Sequence, residues 1–314
     1  MSGRLRWLHG TIAGGTTLML KVARRLRVPF DRFERWGWLP IPVHFYHPYP
    51  ASRDLEDTAY WTTTTRMSGV ALDLPRCVEL VREVGRAYGA ECRWPRRSED
   101  PHTYCWDNGN FGFTSAAMAH AMVRHFKPRR VIEVGSGYST HILGGALRRN
   151  REETGAGAKM TIIEPHPGEV LNTEIPHLEK RVHQRVETVD PVLFGELRAN
   201  DLLFVDSSHV LRYGGDVAFL YLDVLPKLAP GTIVHIHDIH LPEPYPRTYF
   251  EQARYVWNEQ QLLQAFLCHN RHFEILAPCW MLHLEHDTVF REVFPDYDPR
   301  QHRPGSSFWI RRID

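Results

Sequence analysis

From residue 128 onward the chain alternates between short apolar runs and stretches of helical spacing. The runs are "RRVIEVG", "AKMTIIEP", "KRVHQRVE", "NDLLFVDSS", "GTIVHIHD" and "HFEILAP", each short enough for a strand and each followed by turn residues or a helical pattern. Strands that alternate with helices cannot pair through tight hairpins, so the pattern predicts a doubly wound, mostly parallel α/β sheet. "HLEH" (283–286) reads as a late strand or an insertion. Upstream the pattern differs. "LPRCVELVREVGRAYGA" (74–90) has helical apolar spacing, while "WGWLPIPVHFYHPYP" (36–50) is aromatic and proline-rich and suits an extended segment. The expected organisation is a basic N-terminal segment over 1–30, a cap and lead-in over 31–127, and a ligand-binding α/β domain over 128–314.

The first segment, "RLRWLHGTIAGGTTLMLKVARRLRV", sets basic residues on both sides of an apolar stretch too short to span a bilayer. No small-residue cleavage site follows, and Lys21, Arg24, Arg25 and Arg27 stand where one would be expected. A surface helix, a weak membrane-surface contact and a targeting role are the readings left open.

Composition narrows the function. The 38 basic residues nearly balance the 37 acidic ones over 314 residues, so no overall field favours nucleic acid. Five cysteines without a CxxC pair fit neither a disulfide framework nor a zinc ribbon, and point to a reducing, cytoplasmic setting.

Chemistry enters at "VIEVGSGYST" (131–140). In an open parallel sheet ligands bind beyond the carboxyl ends of the strands, and glycines there let backbone N–H groups and the next helix approach them. Gly135 and Gly137 supply that approach, and Ser139 and Thr140 are expected to cap the helix. A dinucleotide site prefers three glycines; this one has Glu133-x-Gly135-x-Gly137. The second strand also ends in an acid, Glu164, placed to accept two ribose hydroxyls. Together these describe a ligand that contains adenosine.

With "IIEPHP", "DLLFVDSSHV" and "GTIVHIHDIHLP", the glycine stretch resembles the successive motifs of class I S-adenosylmethionine-dependent methyltransferases, most closely the methyltransferase-24-like group. The resemblance implies a Rossmann-like sheet of seven strands. It implies that Glu133, Gly135 and Gly137 surround the methionine part of S-adenosylmethionine, that Glu164 holds its ribose, and that Tyr138 and Ser139 border it. Asn108 and Phe111 would close over the sulfonium end, although a loop asparagine and a core phenylalanine are equally ordinary. Glu187 and Asp190 are candidates beside adenine, or plain helix caps.

The remaining chemistry lies at the fourth and fifth strand ends, with Asp206 and His209 after one and His235, His237, Asp238 and His240 along the other. Alternation puts His237 and Asp238 on opposite faces of an extended strand, so they converge only if the strand ends between them. Asp206 and Asp238 match positions where catechol-type methyltransferases place carboxylate ligands for a divalent ion, but Ile239 replaces the asparagine that completes that set. Either His209, His237 or water completes a metal site, which would suit Mn, Fe or Zn better than Mg, or His209 or His237 acts as a metal-free base. The expected reaction is methylation, most readily at oxygen, of a small-molecule, glycan or peptide acceptor. A non-catalytic cofactor-binding scaffold and an iron oxygenase are the alternatives.

Overall fold

The structure is a computed structural model and describes residues 3–56 and 58–314. The chain divides into two compact units, Met1–Thr58 and Ala59–Asp314. In the first lie α1 (Gly3–Arg25) and α2 (Phe30–Glu34). Helix α3 (Thr58–Thr62) stands at the junction of the two. The second unit holds α4 (Leu74–Tyr88), α5 (Phe113–Phe126), α6 (Tyr138–Thr154), α7 (Asp216–Phe219), α8 (Arg247–Ala253), α9 (Glu259–Leu267), α10 (Cys279–His286) and α11 (Thr288–Val293).

Its sheet has seven strands: β1 (Arg130–Val134), β2 (Lys159–Ile163), β3 (Leu178–Val182), β4 (Leu202–Val205), β5 (Ile233–Ile236), β6 (Phe273–Pro278) and β7 (Phe308–Arg312). Their order is β3-β2-β1-β4-β5-β7-β6, with β7 antiparallel to both neighbours and every other pairing parallel. This is the doubly wound, mostly parallel sheet that the alternation predicts. Strands β4 and β5 are buried at every residue because helices cover both faces, and so they read as unbroken apolar runs.

Two elements differ from expectation. The run 180–187 does not form one strand. β3 ends at Val182, and Val186–Thr188 is a 3₁₀ turn whose Val186 is buried. An edge strand has a solvated face, so Glu179, Lys180 and Arg181 sit in it exposed while the apolar residue that drew the reading packs elsewhere. "HLEH" lies in α10, not in a strand or insertion.

Helix α4 shows how local signals build the scaffold. The Asp73 carboxylate accepts the Arg76 backbone N–H at 3.1 Å, Pro75 fits the first turn, and Cys77, Val78, Val81 and Val84 fall on one buried face. Burying each valine is worth roughly 1.5–3 kcal/mol. α5 is buried nearly all round, packs between α4 and α6, and ends where Lys127 turns left-handed before Pro128. β1 itself is held between β2 and β4, and α4 packs against β6.

Candidate active site

Three strand ends converge on the glycine loop. Beyond the strands the ladder continues for one more bond each: Gly135 N–H donates to Ile163 O, Asp206 N–H to Val134 O and His237 N–H to Val205 O, all within 3.0 Å. Gly135 is left-handed (φ +77°), and a Cβ there would lie 1.8 Å from the Asp206 carbonyl oxygen. Its glycine is therefore dictated by the neighbouring strand end. Gly137 differs, for a Cβ built on it meets nothing within 4 Å. The open space beyond the strands begins there.

The acids around this loop have separate tasks. Glu133 is fully buried; its Oε1 accepts the Ser139 hydroxyl at 2.6 Å and its Oε2 has no partner among the described residues. Burial dominates its pKa and, helped by Asp206 and Glu164, pushes it up to about 8 against the hydrogen bonds from Ser139 and Thr140. Ser139 thus serves Glu133, while Thr140 Oγ1 accepts the Gly137 N–H at 3.1 Å and closes the helix end. Glu164 braces the loop by accepting Ser136 N–H at 3.2 Å and His166 N–H at 2.6 Å. Tyr138 sits edge-on to the buried Tyr104, ring centroids 6.2 Å apart.

Asn108 is occupied structurally. Its amide donates to the carbonyls of Cys105 and Phe111, and its oxygen accepts the N–H groups of Asn110 and Phe111. Phe111 is buried between Phe204 and His237, centroids 6.1 and 5.0 Å away. Glu187 pairs with Arg185, and Asp190 caps the turn at Val192.

At the fourth and fifth strand ends the side chains do converge. β5 stops at Ile236 and Asp238 is left-handed (φ +52°), which undoes the strict alternation and brings Asp238 beside His237, Oδ1 to Nε2 3.7 Å. His209, also left-handed (φ +59°), sets its Nε2 3.4 Å from Asp206 Oδ1 and 3.7 Å from Asp238 Oδ2. One ligand atom from each of Asp206, His209 and Asp238 lies within 4.8 Å of the others. Behind the imidazole, Nδ1 meets Oε2 of Glu259 at 2.9 Å, and Glu259 is completely buried. Asp238 is steadied by the Ser306 hydroxyl at 3.0 Å.

Burial alone would lower the His209 pKa, but its hydrogen bonds to Asp206 and Glu259 outweigh it and hold the imidazole well above its ordinary value. Burial would raise Asp206; the positive fields of His237 and His209 reverse that and bring it to about 2. His237 is buried with its Nε2 3.7 Å from Asp238 Oδ1, and its Nδ1 has no partner among the described residues. His235 packs flat on Phe204, centroids 3.7 Å apart, and burial holds it neutral.

Residues 132–239 match the methyltransferase-24 family, described as a methyltransferase domain. The chain carries a class I S-adenosylmethionine-dependent methyltransferase domain. An uncharacterized protein of Archaeoglobus fulgidus is 26% identical to it over 166 residues, covering 51% of this chain and 74% of that one. The methyltransferase match contains Glu133, both loop glycines, Glu164, Asp206, His209, His237 and Asp238. Glu259 lies outside it, on α9, and sequence reading passed it over because an acid in the first turn of a helix is ordinary. Among the described residues no helix of the methyltransferase is long and apolar enough to cross a membrane.

Proposed function

We propose that the domain methylates a hydroxyl oxygen and that Asp206, His209 and Asp238 hold a divalent cation beside that oxygen. S-adenosylmethionine supplies a sulfonium methyl, an electrophile that needs only an aligned nucleophile. The loop suits this cofactor: Gly137 leaves room, the buried Glu133 beside the loop keeps one oxygen without a partner among the described residues, and Glu164 stands at the second strand end for the ribose. A bound cation would lower the pKa of the acceptor hydroxyl. Asp206 and Asp238 offer oxygens and His209 offers Nε2, a mixed set that fits Mn, Fe or Zn.

The observation that carries the reading is the Glu259–His209 hydrogen bond. It fixes which imidazole nitrogen faces the two carboxylates, as the outer partner of a metal-binding histidine does. The rival is a metal-free His209 base, for which the same hydrogen bond would orient the ring. The acceptor is a hydroxyl on a small molecule, glycan or peptide.

The test is metal analysis of purified, untagged protein, with methyl transfer from labelled cofactor measured before and after chelation. Stoichiometric metal with activity that returns on adding Mn²⁺ or Zn²⁺ supports the assignment. Metal-free protein with undiminished turnover defeats it.

A further inference from the structure

The segment that precedes the catalytic unit has no core of its own. None of residues 8–56 is buried. Yet the segment is rich in large apolar side chains, and their placement is not random. On α1, Leu8, Ile12, Met19 and Val22 recur at spacings that put them along one side of a helix, and they are 46% to 74% exposed. Lys21 and Arg24 project from the opposite side, with Gly10, Gly14 and Thr17 between them. The helix contains five basic residues and no acidic one. It is therefore cationic on one side, apolar on the other and too polar to enter a bilayer lengthwise.

Beyond it the same chemistry continues in another form. Trp36, Trp38, Phe45 and Tyr46 are 75% to 83% exposed. Aromatic rings with a polar edge settle at the headgroup level of membranes, and basic residues nearby are drawn to anionic headgroups. A second protein surface could cover apolar side chains, but it would not account for a helix free of acids. A nucleic acid would use the charge and leave the apolar row in water. We propose that residues 8–46 form a docking surface for an anionic lipid bilayer, with α1 lying in the interface plane, its apolar row inward and Lys21, Arg24 and Arg25 at the headgroups.

The experiment is sedimentation of the full-length protein with vesicles of pure phosphatidylcholine and with vesicles containing about one-third phosphatidylserine, at low and physiological salt. The wild type should sediment with the anionic vesicles, weaken as salt rises, and stay in solution with the neutral ones. Lys21→Glu, Arg24→Glu and Arg25→Glu together should weaken binding on the order of a hundredfold. Ile12→Asp with Met19→Asp should abolish it while cofactor affinity stays at the wild-type value. No sedimentation of the wild type with either vesicle overturns the proposal, whatever the variants do. Equal binding to neutral vesicles overturns the role given to charge. Self-association that Ile12→Asp and Met19→Asp disrupt, without vesicle binding, assigns the surface to a second copy of the chain instead.

Discussion

His209 and Glu259 are 50 residues apart in sequence and 2.9 Å apart in space. The link is reinforced by the backbone, since the His209 carbonyl accepts the N–H groups of Asn258 and Glu259 at 3.1 and 3.2 Å. The start of α9 is thereby tied to the loop after β4, and the imidazole cannot rotate without breaking a buried hydrogen bond. Glu259→Gln should keep the fold and cofactor binding but lower divalent-metal affinity about 10- to 100-fold, because the amide no longer fixes the ring as a carboxylate does. Calorimetric titration with Mn²⁺ measures it; unchanged affinity would show that the pairing is only structural.

Metal affinity should also depend on pH with a predictable sign. The imidazole carries a proton up to a pKa well above its ordinary value, and an incoming ion must displace it. Apparent affinity should therefore rise by about tenfold per pH unit below that pKa, with close to one proton released. Titration in buffers of different ionisation enthalpy counts the protons.

The two loop glycines should respond differently to substitution. Gly137→Val places its side chain in open space, so the variant should fold like wild type and lose cofactor binding. Gly135→Ala forces a Cβ against the Asp206 carbonyl on a left-handed backbone, which costs about 1–2 kcal/mol from backbone conformation alone. That variant should lose thermal stability first. Melting curves with and without S-adenosylmethionine separate the two effects.

Glu133 gives the protein a stability term of unusual sign for an acid. Its folded pKa of about 8 lies above the ordinary 4.5, so the folded state keeps a proton that the unfolded chain releases. The stabilisation is complete below pH 4.5 and is lost as pH rises toward 8. Glu133→Gln has no proton to lose, so its melting temperature relative to wild type should climb across this window. A constant difference between the two curves would contradict the assigned shift.

Removing residues 1–27 should leave the melting temperature of the catalytic unit unchanged, since none of residues 8–27 is buried. A fall of several degrees on thermal denaturation would show that the segment stabilises the fold.

Much of the fold was legible because central parallel strands must be apolar on both faces, and β1, β2, β4 and β5 each end in a polar break at the ligand edge. β3 misled because a solvated edge strand needs no apolar run, and β7 was not read because "SFWIRR" has no helical pattern before it to mark a crossover. At the site, Glu133, Gly137 and Asp206 could be found from strand ends alone. Three features needed the structure. The left-handed turn at Asp238 cancels strict alternation; His209 rather than His237 faces both carboxylates; and Glu259 arrives from a distant helix. Each depends on contacts between segments remote in sequence, which local periodicity does not encode.

The position of β7 has a consequence for how the protein is made. β6 pairs with β7 and with no other named strand, yet β6 is synthesised first, and β7 must then insert between it and β5. On a ribosome the first five strands can assemble as they emerge, but β6 has to wait without a partner until residue 312 is free. A chain in which β7 has not yet been placed exposes the open edge of β5 together with an unpaired apolar strand, both of which invite aggregation. Delay or loss of β7 should therefore lower the yield of folded protein by aggregation, although every other strand is intact.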